Sequence, residues 1–128
     1  MMLFRRSREE KLAEPSLNFK TESVPLTETV DLSFFVPCYN EGENVGKALE
    51  TIRSAMAARP RLSYEILVVD DGSKDHTVET VEAYRTAHPD CPIRLHRNPK
   101  NLGLGASYMQ GATLAKGDYY LIVNGDGD

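Results

Sequence analysis

Four short apolar runs, each closed by a polar turn and separated from the next by a helical pattern, constrain this chain more than any other feature. Leu32 to Val36 is the first, closed by Pro37. Tyr64 to Val69 is the second, bounded by Asp70-Asp71-Gly72-Ser73; Ile93 to His96 follows Pro92, and Tyr119 to Val123 is the fourth. Their hydrophobicity is continuous rather than alternating, which predicts strands buried on both faces. Between them, Val45, Leu49, Ile52 and Met56 recur at three- and four-residue spacing, predicting an amphipathic helix over about 43–58 that Pro60 ends. Val78, Val81 and Tyr84 mark the face of a second helix, with Ser73 or Asp75 placed to cap it. Residues 105–115 predict a third, lined by Ala106, Gly111, Ala112 and Ala115 and stopped by Gly117 at the C′ position. Strand–helix alternation of this kind predicts an α/β fold, a mainly parallel sheet with helices on both faces.

Residues 1–30 carry no such pattern. They are rich in Arg, Glu, Ser and Thr, contain Pro15 and Pro25, and read as a flexible N-terminal tail, with residues 31–128 as the domain. The 128 residues suffice for one domain with an ordinary core. With 19 acidic and 15 basic residues the net charge is −4, which argues against a nucleic-acid partner. Arg5-Arg6-Ser7-Arg8 and the loose set Arg94, His96, Arg97 and Lys100 read as solvated surface; the first would favour an anionic membrane surface only weakly. No run approaches the ~20 apolar residues of a membrane span. The charged N-terminus has no apolar stretch behind it, so it is not a secretory signal. A cytoplasmic location is expected, at the inner face of the membrane if there is peripheral contact. Cys38 and Cys91 match no metal spacing and are expected as reduced thiols, and His76, His88 and His96 read as surface.

In open α/β sheets ligands bind outside the carboxyl ends of the strands. Here those ends deliver Pro37-Cys38-Tyr39-Asn40-Glu41, Asp70-Asp71-Gly72-Ser73, the segment from Asn98 to Gly105, and Asn124-Gly125-Asp126-Gly127-Asp128. One Asp-Gly is only a turn former. Carboxylates at three of four strand ends on one edge indicate a site for a cation and a polar ligand. The last segment sets oxygen ligands two residues apart, which suits Mg²⁺ or Mn²⁺ with a diphosphate completing the shell. Gly103-Leu104-Gly105 is not a dinucleotide fingerprint: it follows the third strand, and Tyr108 stands where the third Gly belongs.

Four segments in order carry a family resemblance. They are Phe34-Phe35-Val36-Pro37-Cys38-Tyr39-Asn40-Glu41, then Glu65 to Thr77, then Asn101-Leu102-Gly103-Leu104-Gly105-Ala106, then Ala115-Lys116-Gly117-Asp118-Tyr119. Together, over residues 32–128, they resemble the family 2 glycosyltransferases. The stretch from Leu102 to Gly105, with Tyr108 and Gly111 behind it, is most similar to the dolichol- and polyprenyl-phosphate sugar transferases. The resemblance implies the Rossmann-like, nucleotide-diphospho-sugar-binding half of a glycosyltransferase A fold. It implies that Pro37, Tyr39 and Glu41 surround the base and ribose, and that Val69 and Asp71, with Asp70 beside them, form a second nucleotide-contacting motif. It also implies that Asn124, Gly125 and Asp126 occupy the Asp-x-Asp position, which holds a Mg or Mn divalent cation on the donor's diphosphate. In that register the first Asp falls on Asn124, an uncharged ligand, so metal affinity should be lower; a two-residue shift would use Asp126 and Asp128 instead.

The implied activity is transfer of a sugar from a UDP- or GDP-linked donor to an acceptor such as a polyprenyl phosphate. The catalytic base and the acceptor groove are expected beyond residue 128, as for the N-terminal part of a longer enzyme. A nucleotide-sugar-binding remnant without turnover is the alternative. A sugar-1-phosphate nucleotidyltransferase would need a Gly-rich basic loop after the first strand, where Tyr39-Asn40-Glu41-Gly42-Glu43 is acidic. A phospho-receiver domain would carry its acidic pair after the first strand rather than the second.

Overall fold

Successive side chains of a strand point to opposite faces, and two central strands use this to build two separate cores. In the computed structural model, which describes residues 2–5 and 29–125, these strands are β2 (Val30–Cys38) and β3 (Tyr64–Asp70), paired in parallel with Phe34 opposite Ile66 and Val36 opposite Val68. Phe34, Val36, Ile66 and Val68 pack on one face against Val45, Leu49, Ile52 and Met56 of helix α1 (Val45–Ala57) and Val81 of helix α2 (Thr77–Ala87). Phe35, Leu67 and Val69 pack on the other face against Ala112 of helix α3 (Leu104–Leu114). The sheet is completed by β4 (Ile93–Arg97), β5 (Gly117–Ile122) and β1 (Met2–Arg5), in the order β1-β5-β2-β3-β4. Only β1 runs antiparallel to its neighbour. The α/β architecture with a mainly parallel sheet and helices on both faces is therefore present.

Local expectations fail at four places, each for a physical reason. Met2–Arg5 pairs with β5 from Met2↔Ile122 to Arg5↔Tyr119, so the tail expected over residues 1–30 does not include these four. The unpaired edge of β5 is satisfied by main-chain bonds, which almost any extended segment supplies whatever its side-chain pattern. Pro37 does not close its strand: β2 continues to Cys38. A proline removes a ladder donor, but β2–β5 pairing has already ended at Phe35↔Ile122, and the Pro37 carbonyl accepts the Gly125 N–H at 3.3 Å. Gly117 is not a helix cap but the first residue of β5; a Cβ there would lie 2.5 Å from the Ser33 nitrogen. Its absent side chain serves close strand packing. Ser73 does not cap α2 either. Asp75 stands at that helix start, its Oδ1 accepting the Thr77 N–H at 2.9 Å.

At the amino-terminal edge of the sheet a buried carboxylate ties three strands. Glu65 is 5% exposed; its Oε2 accepts the Ser33 hydroxyl at 2.6 Å and the Lys116 N–H at 2.5 Å, while Oε1 pairs with Arg94 at 3.0 Å. The opposite edge is thereby left to the loops that carry the site.

Candidate functional site

Three loops meet over the carboxyl edge, and hydrogen bonds between them fix their relative positions. The loop after β2 is stitched to the loop after β3. The Asn40 N–H donates to Ser73 Oγ at 2.8 Å and the Lys74 N–H donates back to Asn40 Oδ1 at 2.9 Å. Glu41 N–H donates to Thr77 Oγ1 at 2.9 Å, and Gly42 N–H to Asp75 Oδ2 at 3.1 Å. The Thr77 hydroxyl in turn holds the Asp75 carboxyl below the usual carboxylate range. Asn40 adopts a left-handed backbone (φ 53°), a conformation Asn tolerates better than most residues.

The loop after β4 is held by Asp71. Its Oδ1 accepts from Asn98 Nδ2 at 2.9 Å and from the Leu102 N–H at 2.8 Å; its Oδ2 accepts the Gly103 N–H at 2.8 Å. Asn98 is held by a reciprocal amide pair with Gln110 of α3, at 2.9 and 2.8 Å. Asp71 is 5% exposed, and this buried charge is stabilised by donors rather than by a cation. A carboxylate oxygen has two acceptor sites. Oδ1 is thus filled, and Oδ2 retains one.

These loops enclose an open cavity of about 280 Å³ lined by Pro37, Tyr39, Glu41, Asp71, Asn124 and Gly125 among others. Six of the residues anticipated from sequence are thus brought together. Gly125 belongs to the cavity wall, where a Cβ would lie 2.7 Å from Cys38 Sγ. Val69 does not reach the cavity; its side chain is fully buried under α3. Asp70 does not line it either. It is 1% exposed, its Oδ2 accepts the Ser73 N–H at 3.1 Å, and its Oδ1 has no partner among the described residues. Asp126 and Asp128 lie outside the described residues.

The cavity also includes Cys38, Asn101, Gly103, Leu104 and Ser107. Ser107, in the first turns of α3, is the one no sequence pattern marked. Burial, then the nearby charges of Asp70, Glu41 and Asp75, push the Cys38 thiol well above its ordinary range. Both cysteines are free, as expected. Of the histidines read as surface, His76 is exposed, whereas His88 and His96 are half-buried and His88 packs on Tyr84 at a 4.3 Å ring separation.

A metal would need hard oxygen donors here. Among the described residues no three His, Cys, Asp or Glu side chains gather as a cation site. Asn124, exposed at the cavity, supplies a carbonyl oxygen of the right kind, and Asp71 is already committed to N–H donors. Asn124, at the end of β5, is thus an oxygen donor of the kind Mg²⁺ or Mn²⁺ takes, but one neutral donor does not by itself make a cation site. No helix among the described residues is long and apolar enough to cross a membrane.

Comparison with known proteins agrees with this geometry. Residues 33–127 match the family described as glycosyl transferase family 2. A dolichyl-phosphate β-glucosyltransferase of Trichomonas vaginalis is 39% identical over 99 residues, covering 74% of this chain and 29% of that protein. A dolichol-phosphate mannosyltransferase of Pyrococcus furiosus is 33% identical over 95 residues, covering 74% of this chain and 25% of that protein. The chain thus spans well under half the length of these curated relatives. Among solved structures, the mannosyltransferase PcManGT from Pyrobaculum calidifontis, in complex with GDP-Man and Mn²⁺, superposes with a TM-score of 0.69 at 24% identity, over 92% of this chain and 32% of that one. TarS of S. aureus gives a TM-score of 0.65 at 27% identity, over 75% of this chain and 27% of that one. The sheet order, the cavity at its carboxyl edge and the matched residues agree: the chain belongs to glycosyl transferase family 2 and has the glycosyltransferase A fold.

Proposed function

We propose that this chain is the donor-binding part of a glycosyltransferase that moves a sugar from a nucleotide-diphospho-sugar, UDP- or GDP-linked, to a polyprenyl phosphate. The observation that carries this reading is the convergence of Pro37, Tyr39, Glu41, Asp71, Asn124 and Gly125 on one cavity at the carboxyl edge. The dolichyl-phosphate relatives favour the lipid phosphate as acceptor.

Each lining residue has a role its surroundings support. Tyr39, 44% exposed, offers an aromatic face on which a base can stack. The vacant acceptor site of Asp71 Oδ2 suits an N–H of that base. Glu41, whose backbone is anchored by its N–H to Thr77, lines the cavity, and its carboxylate suits ribose hydroxyls. Asn124, with Asp126 and Asp128 of the same segment, would hold the divalent cation. When bound, that cation supplies Lewis-acid neutralisation of the charge developing on the diphosphate leaving group. The loop tied down by Asp71 keeps Asn101, Gly103 and Leu104 in the cavity wall, so little ordering is left to be done when the donor binds.

Calorimetric titration of UDP and GDP into the folded chain, with and without Mn²⁺, tests the reading. One nucleotide should bind, and Mn²⁺ should tighten it. Absence of binding by both, with the chain folded by circular dichroism, overturns it.

A further inference from the structure

The basic residues of the fourth strand and its following loop do not behave as one solvated set. Arg94 turns to the amino-terminal edge and pairs with Glu65. Arg97 and Lys100 instead join Lys74, from the loop after β3, around a second open groove of about 520 Å³. Its lining also includes Tyr39, Ser73 and Asn101 and contains no Asp or Glu. All three cations are exposed, and among the described residues none forms an ion pair. The backbone N–H groups of Lys100 and Asn101 also have no acceptor among the described residues.

In a chain of net charge −4, three unpaired cations and two free N–H donors around one acid-free concavity are an anion-binding arrangement. The arrangement is also preorganised. A Cβ on Gly72 would lie 2.5 Å from the Lys100 carbonyl carbon and 2.7 Å from the Asn101 nitrogen, so the two loops touch backbone to backbone. Asp71 fixes the same loop two residues further on.

We propose that Lys74, Arg97 and Lys100 form a phosphate-binding groove that adjoins the donor cavity, Tyr39 and Asn101 lining both. Its occupant is a phosphate mono- or diester group. The donor's own diphosphate does not reach it; this one point rests on the preceding reading, which puts the diphosphate at the end of β5. The three cations follow β3 and β4, two and three strand spacings from β5, roughly 10–14 Å, further than the two phosphates of one diphosphate extend. A neutral base has no need of three cations. A phosphate group does, whether it belongs to a lipid headgroup or is free in solution.

Two probes distinguish those sources. Inorganic phosphate, titrated into the 128-residue chain and followed by amide shifts, should move Lys74, Arg97, Lys100 and Asn101 saturably if free phosphate is taken. Vesicles of phosphatidylcholine with phosphatidylserine should sediment the chain, and pure phosphatidylcholine should not, if a lipid headgroup is taken. Either result should be lost in the variant carrying Lys74→Gln, Arg97→Gln and Lys100→Gln. Each single change should weaken binding roughly two- to five-fold, as exposed charge contacts do, and raising salt from 50 to about 200 mM should weaken it further. The three side chains are exposed, so the variant should keep the wild-type circular dichroism spectrum. Response to neither probe, or binding unchanged in the triple variant, overturns the proposal. Nucleotide binding is read separately, at Glu41 and Gly125, which line the donor cavity and not the groove, so failure there leaves this result interpretable on its own.

Discussion

Asp71 and Gly103 stand 32 positions apart in sequence, yet the carboxylate of the first accepts the backbone N–H of the second at 2.8 Å. With Leu102 and Asn98 bound to the same carboxylate, one side chain of the loop after β3 determines where the whole loop after β4 lies. Asp71→Ala strands three buried or half-buried donors at once. Each orphaned donor costs about 1–3 kcal/mol when water cannot replace the acceptor, and partial rehydration of this open loop should hold the total to about 2–4 kcal/mol. Urea unfolding should show a lower midpoint, and nucleotide affinity should fall with it. Asp71→Asn should recover only part of the loss, because its NH₂ group opposes an N–H.

Gly103 and Gly105 form an internally controlled pair. A Cβ would meet no heavy atom within 4 Å at either position. Only Gly103 has a positive φ, 100°, whereas Gly105 lies in the first turn of α3. Gly103→Ala should therefore destabilise by about 1–3 kcal/mol through backbone strain alone. Gly105→Ala should be neutral or stabilising by up to about 1 kcal/mol, the usual gain of Ala over Gly in a helix. Paired urea midpoints check both; equal effects would refute the strain argument.

The strands and helices were legible because Val, Ile, Leu and Phe repeat with periods that only one local structure satisfies. Residues 64–69 can hardly be anything but a buried strand, and Val45, Leu49, Ile52 and Met56 can hardly be anything but one helix face. The residues that line the cavity were legible for a topological reason: strand ends on one edge must converge. What stayed hidden depends on partners distant in sequence. The Asn98–Gln110 amide pair spans 12 positions with no periodic mark, and it shows only once α3 is laid beside the end of β4. Lys74 gives no hint in sequence that it stands beside Lys100. Met2–Arg5 found its place through main-chain bonds, which leave no pattern in side chains. Val69 and Asp70 are the reverse case. They sit in the expected segment, yet the pleat buries Val69 beneath α3, and Asp70, 1% exposed, accepts the Ser73 N–H and does not line the cavity.

Acid should loosen the contact between α1 and α2. Hydrogen bonds from Arg53 and then Tyr84 hold the Glu50 carboxyl down at about 2. The folded value lies below the unfolded one, so the stabilisation is present above the ordinary carboxylate range and is lost as pH falls toward 2. Asp75 shifts the same way, through the Thr77 hydroxyl. Melting temperature should thus fall with pH on the acid side. In Glu50→Gln, which cannot titrate, the deficit relative to wild type should be clear at pH 6 and should shrink by pH 2 to 3. A deficit independent of pH would mean that the pair adds nothing electrostatic.

Cys38 offers a chemical report on the cavity itself. The side chain is 3% exposed, and its thiol is held protonated by burial and by the surrounding carboxylates, Asp70 foremost. Only a thiolate attacks a disulfide reagent. In a Cys91→Ser background, which isolates Cys38, the native chain at pH 8 should react at least about a hundred-fold more slowly than the urea-unfolded chain. A nucleotide bound in the cavity, of which Cys38 is a wall residue, should slow the reaction further. Asp70→Asn removes the largest charge acting on the thiol and should speed the native reaction while leaving the unfolded rate unchanged. Rapid native labelling that a nucleotide does not alter would mean that the thiol meets solvent by a route other than the cavity, and that the wall formed by Cys38 and Gly125 opens in solution.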